Sequence, residues 1–184
     1  MDREHVRETF PELDDLEDPD LRVGVVDAWA SAMADTGIED LGGVPWLPPV
    51  QRELGLDDEY LVPHVRDVVA CATAMVDRLT ARRPDLAIDR DVVLAGALVH
   101  DVSKLYEFDG GERTAIGGLL GHPHYGVAVV DAAGLPVDVA HVVLAHTDRT
   151  AVEPATIEAE VVRRADEVAA QAIRSRALAD LRDA

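Results

Sequence analysis

At 184 residues and 48% hydrophobic, the chain is long enough for one domain with a substantial core and short for two. No stretch approaches eighteen consecutive apolar residues, the start Met-Asp-Arg-Glu-His-Val-Arg-Glu is too charged for a signal peptide, and Cys71 is the only cysteine. A membrane span and an internal disulfide are excluded, and a cytoplasmic protein is expected. Net charge is −19, and the 17 basic residues include a single lysine, Lys104. Acidic excess with arginine in place of lysine points to adaptation to a very salty cytoplasm (a halophilic protein), where screening over about 3 Å at molar salt removes most self-repulsion. An ordinary acidic protein from a GC-rich genome is the alternative. In both cases no basic stripe exists to replace the counterions of phosphates, so long nucleic acid is not an expected partner.

In chain order, residues 1–20 are rich in acids and contain Pro11 and Pro19, which reads as a loosely held N-terminal arm. A helix is predicted over 21–35, with Val25, Val26, Trp29, Ala32 and Met33 inward and Gly37 at its end. Residues 38–58 combine glycines with a Pro-Trp-Leu-Pro-Pro cluster and little periodicity; they read as a long loop, with Trp46 either an anchor for it or simple core packing. Leu61, Val65, Val68, Val69, Ala72, Val76 and Leu79 recur at helical spacing, so a helix is predicted over 59–83, stopping before Pro84. Residues 91–105 are apolar nearly all round, the mark of a central helix. Asp109-Gly110-Gly111 then signals a tight turn, hence a small hairpin or ordered loop within 106–118. Helices are predicted over 122–133 and 136–146, separated at Gly134 and Pro136, and a last long one over 154–181. The sum is an all-α, single-domain helical bundle spanning 1–184.

The most informative stretch is 92–104, where an apolar run ends in His100-Asp101 with Lys104 three residues on. Burying an imidazole beside a carboxylate is costly unless something holds both. A divalent metal ion is one resolution, because neutral imidazole and ionised carboxylate are among its preferred ligands. His64 borders the buried stripe of its predicted helix, His122 and His146 fall at helix ends, and Asp166 lies on the inward face of the last helix. Each alone is as readily a hydrogen-bonded core histidine or a solvated aspartate. Together they bring imidazoles and carboxylates from separate helices toward one interior, the way bundles build metal sites.

The set His64, His100-Asp101, His122, His146 and Asp166, in that order, resembles the HD-domain superfamily of metal-dependent phosphohydrolases over roughly residues 60–173. His100-Asp101-Val102-Ser103-Lys104 is similar to the family's His-Asp motif with a following lysine. Leu119-Leu120-Gly121-His122, Val143-Leu144-Ala145-His146 and Arg163-Arg164-Ala165-Asp166 are similar to the segments carrying its other ligands. The resemblance implies an HD core over 59–182 and one or two divalent metal ions, whether Mn, Fe, Co, Ni, Mg or Zn. His64, His100, Asp101 and Asp166 would ligate one metal and His122 and His146 a second, with Asp101 bridging. It further implies hydrolysis, by metal-activated water, of a phosphate ester in a small nucleotide or related metabolite, and so a small anionic phosphorylated substrate as partner. Asp101 and Lys104 would act in catalysis, and Lys104 and Arg149 would contact the substrate phosphate. A solvent-exposed ion pair with Glu107 is the competing role for Lys104, and a surface role that for Arg149. The chain departs from some relatives in having His146-Thr147 in place of two consecutive histidines. It also lacks the Gly-Tyr-Pro segment of cyclic-di-GMP phosphodiesterases and any nucleic-acid-binding module. His124 competes with His122 as ligand, and His141 is expected to sit behind the site or in the core. An HD-type di-iron oxygenase is the alternative function, and a non-catalytic metal-bearing sensor a third.

Overall fold

The structure, a computed structural model, describes residues 3–183. In chain order come α1 (Arg3–Thr9), α2 (Pro19–Thr36), α3 (Pro48–Leu54), α4 (Leu61–Arg82), α5 (Arg90–Val99) and α6 (Lys104–Glu107). A hairpin of β1 (Phe108–Asp109) and β2 (Glu112–Arg113) follows, then α7 (Ala115–Leu119), α8 (Gly121–Ala132), α9 (Val137–Ala145) and α10 (Ile157–Arg174). The class is all-α, as the periodicities predict. The only sheet among the described residues is that hairpin, turned by Gly110 and Gly111 at φ 55° and 86°.

Helix α5 is the axis of the bundle. Val93 to Val99 are all buried, and α2, α4, α9 and α10 pack around it. Its start is set by Asp89, whose carboxylate accepts from the backbone N–H groups of Asp91 and Val92. Helix α9 approaches it closely at Gly96, which has no side chain to keep it away: a Cβ there would lie 2.6 Å from Cγ1 of Val142. On the α2 side the indole N–H of Trp29 donates to the carbonyl of Leu98 at 2.9 Å, so a large buried ring carries no unsatisfied polar atom.

Four sequence-based expectations are corrected. Residues 1–20 do not form a loosely held arm across their described part. Val6, Phe10, Leu13 and Leu16 are buried, and the Phe10 ring lies 5.1 Å from that of Trp29. Their spacing places them on one side of a helix and a 3₁₀ turn (Pro11–Asp15), so acidic residues flank an inward apolar edge. The long loop over 38–58 is partly ordered as a 3₁₀ turn (Leu41–Gly43) and α3, and Trp46 within it is buried. The central helix does not run to Leu105. It ends at Val99, and His100 to Ser103 form a turn before α6 begins. The last helix is also shorter than expected, ending at Arg174.

Candidate metal centre

The break after Val99 puts His100 and Asp101 at the inner end of α5, where side chains from α4, α8, α9 and α10 meet them. His64 comes from the first turn of α4. That turn is fixed by the preceding segment: the N–H of Leu61 donates to Val44 and that of Trp46 to Glu59, at 2.8 and 3.2 Å. The same pairing brings the Trp46 and His64 rings to 5.4 Å. His122 follows Gly121, which takes the left-handed conformation at φ 70°, and its carbonyl accepts from the Ser103 hydroxyl at 2.6 Å. His146 ends α9 and Asp166 faces inward from α10.

Asp101 is the meeting point. Its Oδ2 lies 3.5 Å from Nε2 of His64 and 3.3 Å from Nε2 of His100. Its Oδ1 lies 3.3 Å from Nε2 of His122 and 3.8 Å from Nε2 of His146. Asp166 closes the first group, with Oδ1 3.0 Å from Nε2 of His64 and 3.8 Å from Nε2 of His100. Ligand atoms of His64, His100 and Asp101 lie within 4.8 Å of one another, and so do those of Asp101, His122 and His146. The residues singled out in the sequence therefore converge, in two groups sharing one carboxylate. His124 is exposed, and Nε2 of His141 accepts from the N–H of Ala155, so neither belongs to the cluster.

Hydrogen bonds decide which ring nitrogens face this interior. Nδ1 of His100 donates to the carbonyl of Ala97 and Nδ1 of His146 to that of Val143, both at 2.7 Å. A carbonyl only accepts, so in each neutral ring Nε2 is left as a lone pair pointing inward. Nδ1 of His122 donates to Oε2 of Glu107 at 3.0 Å, with the same result. Nε2 of His122 and Nε2 of His146 then stand 3.3 Å apart as two lone pairs, which repel unless a cation lies between them. Oδ1 of Asp101 and Nε2 of His64 and His100 are buried with no hydrogen-bond partner, and Oδ2 of Asp101 meets only the Lys104 ammonium. Orphaned donors of this kind, in this mixture of imidazole and carboxylate, are what a divalent cation requires, and the residues fit one or two such ions.

Charge reinforces the fit. Burial alone would raise the Asp101 carboxyl, but Lys104 and His100 outweigh it and hold it well below the usual carboxylate range. Burial likewise opposes ionisation of Asp166, and the His64 imidazole at 3.0 Å together with the nearby His100 overcomes it. Burial drives His146 down to about 3, with His100 adding to the effect. Burial also lowers His122 against the pull of Glu107. His100 is the exception: burial lowers it, yet Asp101 and Asp166 raise it on balance. The two enclosed carboxylates thus favour the charged form of His100, the opposite direction to His122 and His146.

These directions fix the acid behaviour of the metal-free protein. His122 and His146, lowered on folding, add stability above the ordinary histidine range that is lost as pH falls from about 6.5 toward about 3. Asp101, Asp166 and Glu107, also lowered, add stability present above the carboxylate range and lost as pH falls below it. Only His100, raised, runs the other way, adding stability at low pH that is lost as pH rises through its folded value. Thermal unfolding after chelation should therefore show the midpoint falling by about 5 °C or more between neutral pH and about pH 4.5. A flat or rising midpoint over that interval would contradict the charge states assigned to the cluster.

Lys104 and Glu107 correct one alternative raised by the sequence. They are not a solvent-exposed pair, for both are buried, and Nζ of Lys104 lies 2.6 Å from Oδ2 of Asp101. Glu107, which sequence reasoning gave no part in the site, holds His122 with Oε2, while Oε1 lies 3.7 Å from Nη1 of Arg149. Arg149 is thereby drawn to a cavity of about 280 Å³ that opens onto the cluster. Asp101, Lys104, His122, His146, Asp166 and Trp46 form its inner wall, and Asp148, Arg149, Glu167 and Arg174 also line it.

The HD domain family model matches residues 62–171. Dihydroneopterin 2′,3′-cyclic phosphate phosphodiesterase of Methanocaldococcus jannaschii is 31% identical over 112 residues, covering 58% of this chain and 45% of that protein. The chain thus spans less than half the length of this curated relative. No solved structure matches it. Among the described residues no helix is long and apolar enough to cross a membrane.

Proposed function

The chain belongs to the HD-domain family, and from that premise we propose that it is a metal-dependent phosphohydrolase cleaving a phosphate ester of a small nucleotide or related metabolite. The observation that carries this is Asp101, which offers one oxygen to each of two histidine groups while Lys104 sits against it at 2.6 Å. His64, His100, Asp101 and Asp166 would hold one divalent ion, and Asp101, His122 and His146 a second. Such ions, when bound, supply Lewis acidity toward water and toward phosphoryl oxygens. The protein's own groups do the rest. Lys104, kept in place by Asp101 and walled by Trp46 at 5.8 Å, presents a point charge to phosphoryl oxygens as negative charge builds on them. Arg149, half exposed at the mouth, offers a planar fork to the same group.

The size of the cavity supports a small substrate. At about 280 Å³ it stands near the lower end of ligand pockets. The relative is named for a phosphate ester of this class, dihydroneopterin 2′,3′-cyclic phosphate.

Elemental analysis of protein purified without chelator, followed by a panel of nucleotides, phosphomonoesters and cyclic phosphodiesters with added manganese or cobalt, tests the proposal. Metal content together with phosphate release or ring opening is the expected result. Coloured protein with an iron signal by electron paramagnetic resonance, consuming oxygen and releasing no phosphate, would replace the hydrolase with the di-iron oxygenase.

A further inference from the structure

Arg174 is the last residue of α10, a little over two helical turns beyond Asp166 and rotated from it by about 80°. Helical side chains lean toward the N-terminus of their helix, so a long one from this position reaches back toward Asp166 and the cavity that both residues line. Its guanidinium carbon stands 5.3 Å from the centre of the buried Trp46 ring. The neighbouring arginines are engaged by acids: Arg163 by Glu153 and Glu167, Arg164 by Glu160 and Glu167, Arg176 by Asp58 and Glu59. Arg174 is half-buried, yet among the described residues no carboxylate lies within ion-pair distance of it and no acceptor takes its N–H groups. In a chain with 36 acids and 17 bases, an arginine so placed is out of keeping with its surroundings. The chain directs other arginines of this region to its own carboxylates and leaves the fork of this one free beside the cluster.

The cavity wall carries four carboxylates, Asp101, Asp148, Asp166 and Glu167, against Lys104, Arg149 and Arg174. Lys104 is engaged by Asp101 and Arg149 is drawn toward Glu107, so Arg174 is the cation whose donors have no other use. A guanidinium set over an indole ring gains a cation–π contact, and its N–H groups stay available to two oxygens of one phosphate. On the premise of the phosphoester substrates set out above, we propose that Arg174, held over Trp46 in the cavity wall, binds the anionic oxygens of the phosphorylated substrate and so determines which substrates are retained.

The test uses manganese-loaded wild-type protein, R174A and R174K. Calorimetric titration with inorganic phosphate is paired with kcat and KM on the best substrate of the panel, and with metal content. R174A should weaken phosphate binding and raise KM by about tenfold, the loss of one charge-assisted contact, with kcat within about threefold and metal content unchanged. R174K should recover only part of the loss, since an ammonium has the charge but not the planar fork. Phosphate affinity and KM within about twofold of wild type in R174A would overturn the assignment, as would a fall in metal content that accounts for the whole effect. Wild-type protein that hydrolyses nothing, yet binds phosphate about tenfold more tightly than R174A, would sink the hydrolase and leave Arg174 as an anion-binding residue.

Discussion

Replacing Asp101 with alanine should strip the protein of bound metal and lower turnover by about a thousandfold or more, to the background of the assay. Among the described residues Asp101 is the one member shared by both histidine groups, so its loss separates what the fold brings together. The substitution also leaves Lys104 enclosed without its counter-charge, a change that costs roughly 3–5 kcal/mol when one partner of a buried pair is removed. D101N keeps the shape and removes that steric difference while still presenting no charge to a cation. Elemental analysis and turnover should therefore fail together in both variants, with the thermal midpoint lower in D101A. Wild-type metal content or activity in D101N would remove Asp101 from the centre of the mechanism.

Glu107 should be the next most sensitive position, and its effect should be confined to half of the site. It holds Nδ1 of His122, so E107A frees that ring to turn and leaves its proton without an acceptor. Partners of this kind behind a ligating histidine are worth about 10- to 100-fold in metal affinity or activity. The loss should fall on the group containing His122 and His146, while the group containing His64, His100 and Asp166 keeps its ion. E107Q retains an acceptor and should lose less. Metal stoichiometry near half of wild type in E107A, with recovery in E107Q, would bear this out; equal loss from both groups would show that Glu107 supports the fold and not one ring.

His100 and Asp101 stood out in the sequence because they end an apolar run, and an apolar helix face leaves few harmless places for a charge. His64 and Asp166 were legible by the same logic, since helical periodicity shows which way each faces. Glu107 and Arg174 were not, for opposite reasons. Glu107 becomes a buried partner only because the chain turns at His100 to Ser103, and no propensity marks that turn within so apolar a stretch. Arg174 is, in the sequence, one more charge near the end of an arginine-rich helix, and what sets it apart is its approach to Trp46, 128 positions earlier in the chain. The N-terminal segment was misread because its acids outnumber Val6, Phe10, Leu13 and Leu16. Composition weighs every residue equally, whereas packing rewards the four that face inward.

Lys104 has a practical use apart from its chemistry. It carries the chain's single lysine amine, and the fold keeps it covered. Acylating reagents that decorate most proteins at many points would find one internal target here, guarded by Asp101 and the indole of Trp46. The mass added at that position, followed over time, becomes a direct gauge of how often the centre opens, and a tightly held substrate should slow it.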